Sequence, residues 1–426
     1  MATALLCFKA VKNNFSRLDY LKITIYGFAL AALWSSLHGI VLPLRLLGMV
    51  AETEKNTRLG LLTFTGLLLA MIVQPIAGAI SDRSGFKWGR RRPYIVIGSL
   101  VGILLLPGIG LFQSYLALFI IYCLLQITSN TAQGPYQAFI PDLVPQDRKG
   151  LASGVKSLIE ITGGITLVRL IGYFMGNYAP DKGSVWLWLV LGVLAAVLFG
   201  AVLATIIIVR EAPGRRNEEP LPIRQTVVRS FQIDVRTDRD FIIFLISRLL
   251  VFMALATIQT FALFYLRDVV GLANPATATA DLLIAAGIGM LLAVYPAGRL
   301  SDRIGRRPVV FTSGLVGAGG ILVLFLSTGY GVVIAGGVII GMATGAFMSS
   351  NWALATDLLP RGEEARYLGL TNMATAGGAA LARLIGPVID YFNRYGAGLG
   401  YQVMLGTCFA YFVVGSLLLL KIRERR

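Results

Sequence analysis

The sequence predicts an all-α integral membrane protein, with twelve transmembrane helices in two pseudo-symmetric six-helix bundles. Three observations lead there. The 426-residue chain is 56% hydrophobic and 14% charged, where soluble domains run about 45–50% apolar and about 25% charged. Its apolar residues gather into runs of the roughly 20 residues that a bilayer core requires. One motif occurs twice, about half a chain apart. The first copy is Gly78-x-x-x-Asp82-Arg83, followed by Gly89-Arg90-Arg91-Arg92-Pro93. The second is Gly298-x-x-x-Asp302-Arg303, followed by Gly305-Arg306-Arg307-Pro308.

In order, a tail at 1–19 carries an apolar patch too short for a signal sequence. Apolar segments follow at 20–42, 58–80, 93–112, 115–139, 150–175 and 184–209, giving a first bundle at 20–209. Residues 210–240 are polar, contain Pro213, Pro220 and Pro222, and read as a linker. The second bundle, 241–421, holds segments at 241–267, 276–299, 308–328, 331–356, 365–391 and 398–420. Residues 422–426 form a basic tail. Pro93 and Pro308 open the third and ninth segments at the first turn, where a missing N–H is not needed. Most of the 38 Lys and Arg residues fall in loops on one side, including Lys87, Arg90 to Arg92, the linker, Arg306 and Arg307. That side is expected to be cytoplasmic, with both termini on it, in the cell membrane.

The net charge of +16 does not form the basic face of a nucleic-acid-binding domain. Cys7, Cys123 and Cys408 are scattered and His38 is the single histidine, so no metal site is expected. No cofactor is expected either. There is no phosphate-binding Gly-x-x-x-x-Gly-Lys-Ser/Thr loop and no nucleophile–base set, which argues against an ATP-driven machine or an enzyme.

The duplication extends further. Asp142-Leu143-Val144-Pro145 is matched by Asp357-Leu358-Leu359-Pro360, Arg169-Leu170-Ile171-Gly172 by Arg383-Leu384-Ile385-Gly386, and Leu44-Arg45 by Leu266-Arg267. Duplicated six-helix halves describe a transporter that binds its substrate near the midplane and rocks around it. In the motif, Gly78 and Gly298 are expected to permit close helix contact. Asp82 and Asp302, beside Arg83, Arg90, Arg303 and Arg306, are expected to act as charged latches of a gate.

These residues resemble the major facilitator superfamily, whose loop between the second and third helices carries this motif. Arg210-Glu211-Ala212-Pro213-Gly214-Arg215 resembles that superfamily's end of the first half. Within it, Ile72-Val73-Gln74-Pro75 and Asn130-Thr131-Ala132-Gln133-Gly134-Pro135 resemble the sucrose–proton symporters and their glycoside-transporting relatives. The resemblance implies the major facilitator fold, a sugar or glycoside as small-molecule substrate, H+ as coupling ion, and action as a monomer. There is a departure. Gln126 and Gln137 stand where the sucrose symporters carry an Asp and an Arg in the fourth helix. An amide releases no proton, so that coupling carboxylate is missing.

Candidate site residues follow from depth, at about 1.5 Å per helical residue. Glu160 lies about 15 Å into its helix, near the midplane, as a candidate coupling or substrate-contacting acid. Lys156, one turn earlier, offers a structural ion pair instead. Gln126 and Asn130 suit hydroxyl recognition, or equally helix–helix bonding. Arg169, Arg383 and Arg248 can supply cavity charge or anchor helices at the interfaces. Trp34 and Trp352 can stack on a sugar ring, and Asn372, Asn351 and His38 are weaker candidates. Two other readings stay open. One is an efflux carrier for a drug-like apolar molecule. The other is a non-transporting assembly or pigment-binding factor on the same fold.

Overall fold

The computed structural model describes residues 16–86, 88–145, 148–178, 185–209, 211, 239–326, 329–358 and 364–422. Of the expected linker, only Glu211, Arg239 and Asp240 are among them. All regular structure in the described residues is helical. This is what a bilayer demands, because a lipid-exposed backbone must satisfy its own hydrogen bonds.

The first six helices are α1 (Arg17–Ser36, a π turn at Leu37–Val41, then Leu42–Leu47), α2 (Lys55–Asp82), α3 (Arg92–Leu105, then Gly108–Leu111), α4 (Tyr115–Gln137), α5 (Lys149–Gly176) and α6 (Val185–Ile208). The second six are α7 (Arg239–Asp268), α8 (Pro275–Ile304), α9 (Arg306–Phe325), α10 (Tyr330–Asp357), α11 and α12 (Leu399–Leu419). Eleven of them are long and apolar enough to cross a membrane. The remaining one, α11, is broken into Glu364–Leu381, a 3-10 turn at Ala382–Ile385, and Gly386–Asn393. Pro387 causes the break. It lacks an N–H for the carbonyl of Arg383, and its ring crowds that carbonyl. The freed carbonyls find other neighbours: Thr257 Oγ1 donates to Ala382 O at 3.4 Å, and Arg383 O lies against Gly60.

The described residues form two compact units, 16–37 with 68–211 and 38–67 with 239–422. In the first, α1 packs on α5 and α6, and α3 on α4 and α6. In the second, α7 packs on α11 and α12, α9 on α10 and α12, and α8 on α10. The pairings 1–5, 3–4 and 3–6 thus recur six helices later, as duplication requires. Residues 38–67 join the second unit because Lys55, Asn56 and Thr57 bind its carboxylates Asp268 and Asp390.

Glycine sets the closest approaches. Gly337, Gly341 and Gly345 of α10 face Leu282, Ala286 and Met290 of α8, a ladder with four-residue steps on both helices. A Cβ at Gly341 would collide with the Ala286 carbonyl, and one at Gly345 with that of Met290. Gly134 of α4 sits likewise on the Gln74 carbonyl. The motif glycines differ from expectation: a Cβ at Gly78 or Gly298 would meet nothing within 4 Å. The close approaches fall at other glycines than those of the motif. Gly341→Ala is expected to destabilise the protein by about 1–3 kcal/mol through overpacking, seen as a lower thermal midpoint in detergent. Gly319→Ala, in open space, should not lower it.

Candidate functional site

At the C-terminal end of α2 the first motif copy closes around Arg91, which is 4% exposed. Its guanidinium pairs with Asp82 and, through Nε, with Asp142 Oδ2 at 3.1 Å. It also donates to Ser81 Oγ at 2.6 Å and to the Gly78 carbonyl at 3.3 Å. A cation there complements the negative end of the α2 dipole. Arg90 binds the other oxygen of Asp142 at 2.7 Å. Glu211 accepts from the Arg91 backbone N–H at 2.9 Å, and its carboxylate fills the space where a Cβ on Gly89, at φ +123°, would stand. Burial pushes the Glu211 carboxyl above its ordinary range, against the pull of Arg91 and Arg92. Asp82 and Arg90 were singled out by the sequence. Arg91, the hub, is the middle of three arginines, and Asp142 belongs to the repeat.

The second copy is built differently. Arg306 binds Asp357 Oδ2 at 2.6 Å, the counterpart of Arg90 with Asp142. Gly305 takes φ +98°. Asp302, on the last turn of α8, is exposed and has no ion pair among the described residues. Only two residues, Arg303 and Ile304, separate it from Gly305, against six in the first copy, and two arginines replace three. The exposed Arg83 and Arg303 point away from these clusters' buried cores.

The opposite end of α2 holds residues the sequence did not flag. Asp390, 5% exposed, accepts from Asn56 Nδ2 at 2.8 Å and from the backbone N–H and Oγ1 of Thr57, both at 2.6 Å. It caps the first turn of α2. Lys55 bridges Glu52 and Asp268, each at 2.6 Å, Arg267 reaches Glu52 at 2.6 Å, and Tyr401 donates to Asp268 at 2.6 Å. Gly60 and Gly386 let the backbones of α2 and α11 touch. The available signal was a carboxylate inside an otherwise apolar segment.

Within the first unit, Gln126 and Asn130 are buried and bonded locally. Gln126 Nε2 donates to Tyr122 OH at 2.8 Å, and Asn130 Nδ2 to Gln126 O and Oε1 at 2.8 and 3.0 Å. These three bonds all lie within α4. Trp34 Nε1 donates to Ser129 Oγ at 3.1 Å and meets Tyr122 edge-on. It lines a small cleft with Tyr26, Leu30, Ser99, Leu125 and Ser129. Glu160 fills the notch opposite Gly27 beside Tyr136. Its carboxylate is 3.7 Å from Lys156 Nζ, looser than a charge-assisted bond of about 2.7–2.9 Å, and its side chain is 35% exposed. Lys156 also lies 5.1 Å from the Tyr136 ring centroid. Arg169 is exposed on α5.

Within the second unit, Arg383 is buried, unlike its repeat partner Arg169, and donates to the Ala379 carbonyl. Arg248 is buried against α10 and α11, donating to Asn351 and to Thr375 Oγ1. Trp352 lies beside it. Asn372 is exposed one turn before Thr375.

A model of the family described as MFS/sugar transport protein matches residues 52–422. The chain belongs to that family. It is therefore a multi-pass membrane transporter of the major facilitator superfamily. It is 32% identical over 102 residues to the minor myo-inositol transporter of Bacillus subtilis, covering 24% of this chain and 22% of that one. It is 26% identical over 297 residues to a multidrug resistance protein of Salmonella arizonae, 69% of each chain. It is 30% identical over 131 residues to a sucrose transport protein of Arabidopsis thaliana, 26% of this chain and 25% of that one. The fold matches the nucleoside transporter NupG at a TM-score of 0.74 and 14% identity, over 96% of this chain and 100% of that one. It matches a D-xylose-proton symporter at 0.73 and 16%, over 95% and 98%.

Two outcomes test these clusters. Asp390→Asn should lower stability by about 2–3 kcal/mol, as hydrogen bonds to a charged acceptor are lost, measured by thermal unfolding in detergent. Glu211 has a raised pKa, so its contribution to stability is full below about 4.5, its ordinary value, and falls as pH rises through the native value. Glu211→Gln should remove that fall from the stability–pH curve.

Proposed function

We propose that this protein is a secondary active transporter of a sugar or related polyhydroxylated solute, working by alternating access in the cell membrane. Both termini and the 210–240 linker would face the cytoplasm, as the loop arginines and lysines favour. Two relatives and one structural neighbour are named for polyhydroxylated solutes: a myo-inositol transporter, a sucrose transport protein and a D-xylose-proton symporter.

The observation that carries the coupled reading is Glu160. It is a membrane-depth carboxylate with one loose partner at 3.7 Å and an open side. Such a group can take up and release a proton as its surroundings change between end states. Its lysine would hold it in place, and Trp34 would supply an aromatic wall. The motif clusters would clamp helix ends within their own units, which lets each move as a rigid body. The second reading is efflux of a drug-like molecule. It is favoured by the multidrug resistance relative, whose sequence aligns over 69% of the chain against 24% and 26% for the myo-inositol and sucrose transporters, and by the largely apolar cleft around Trp34.

Uptake into proteoliposomes separates these. Wild-type protein is expected to accumulate a sugar or polyol when a proton gradient is imposed. Glu160→Gln should lose gradient-driven accumulation while retaining exchange of labelled for unlabelled solute. Uptake of no sugar, together with transport of an amphipathic dye, would hand the function to the efflux reading. Unchanged accumulation in Glu160→Gln would remove that residue from coupling.

A further inference from the structure

Arg248 differs from the buried cations that carboxylates hold and from Arg383, which donates to a backbone carbonyl. Arg91 is bound by Asp82 and Asp142, and Lys55 by Glu52 and Asp268. Arg248 is 3% exposed, yet it makes no ion pair among the described residues. Its Nε donates to Thr375 Oγ1 at 2.8 Å and its Nη1 to Asn351 Oδ1. Both acceptors are neutral. The guanidinium lies 5.1 Å from the Phe252 ring centroid and 5.6 Å from that of Trp352. Aromatic faces hold a cation in place but do not neutralise it. Charges inside a membrane protein pair with each other or with backbone carbonyls, or face a water-filled path.

Asn351 supplies the second observation. It is fully buried, and its Nδ2 has no hydrogen-bond partner. Its orientation is not arbitrary. A guanidinium only donates, so Asn351 must offer its oxygen to Arg248, which turns the NH2 group away as a donor. The site therefore presents a positive charge, the Nη2 end of the fork and an amide N–H, with no acceptor for them among the described residues. A buried donor without a partner costs about 1–3 kcal/mol, and an uncompensated buried charge costs more. Trp352, whose ring lies 5.6 Å from the guanidinium, is itself exposed.

We infer that Arg248 and Asn351 form a subsite for an oxyanion of the transported solute, a carboxylate or phosphate. The planar fork matches such a group, which accepts from two donors at once. Thr375 fixes the guanidinium from the far side, and Phe252 and Trp352 hold its plane. The inference rests on the transporter reading and narrows it. The preferred solute would be a sugar acid or sugar phosphate over the neutral sugar.

The test is calorimetric titration of the purified, lipid-stripped protein at constant ionic strength. The probes are glucose, glucuronate and glucose 6-phosphate, with inorganic phosphate, benzoate and phosphatidylglycerol micelles in separate arms. At least one sugar anion should bind about tenfold or more tighter than glucose, the factor expected for a charged hydrogen bond. Arg248→Gln should erase that preference. Asn351→Ala, which keeps the charge, should weaken the anion severalfold more than it weakens glucose, and it serves if Arg248→Gln does not fold. Glucose binding as tightly as both anions would overturn the subsite and leave a neutral-sugar transporter standing. A preference that survives in folded Arg248→Gln would also overturn it. Saturation by phosphatidylglycerol alone would assign the charge to a lipid headgroup and overturn the solute claim. Binding of benzoate or phosphate that needs Arg248, with no sugar bound, would keep the oxyanion subsite and discard the sugar.

Discussion

Both ends of α2 are held by buried charges of the sign its backbone favours. Arg91 sits on the last carbonyls, and Asp390 on the first N–H groups. A helix carries about half a positive charge at its start and half a negative charge at its end. Over its 28 residues α2 is about 42 Å long, so the two ends act independently. Each charge is also a branching point: Arg91 gathers Asp82, Ser81 and Asp142, while Asp390 gathers Asn56 and Thr57. Neither cluster would be affordable in lipid without such complete partnering.

The same rule explains what the interior looks like. Amides satisfy one another, as in the Tyr122–Gln126–Asn130 chain. Hydroxyls return to the carbonyl one turn back, as with Thr63 and Thr205. What remains after that accounting includes the hydroxyls of Ser36, Ser350 and Ser416, buried with no hydrogen-bond partner among the described residues, and groups that carry charge or spare donors. Glu160 has a loose lysine, and Arg248 and Asn351 have donors to spare. A transporter needs groups of this kind, because a site satisfied in every respect by its own protein has nothing to offer a solute.

Much of the architecture was legible in the sequence because membranes impose a coarse code. Segment length, Pro at the first turn and loop charge are each readable one residue at a time. The duplication added the helix pairing. The site was less legible, since partner identity depends on chain separations that periodicity does not report. Asp390 finds Asn56 across 334 positions. Gln126 and Asn130 read as solute contacts by depth, yet they face each other along one helix. Asn351, a weaker candidate by sequence, accepts from Arg248. Gly78 and Gly298 were expected at helix crossings by spacing, but the crossings fall at Gly134, Gly341 and Gly345.

The tetrapeptide Arg-Leu-Ile-Gly occurs at 169–172 and again at 383–386. In α5 it lies within continuous α-helix, while in α11 its first three residues form a 3-10 turn. The next letter differs, Tyr173 in one copy and Pro387 in the other. Four identical residues therefore carry no complete conformational message here, and the fifth decides how they are read. The ancestral repeat has diverged in grammar where its vocabulary is unchanged, so that one copy carries an exposed arginine and the other a buried one.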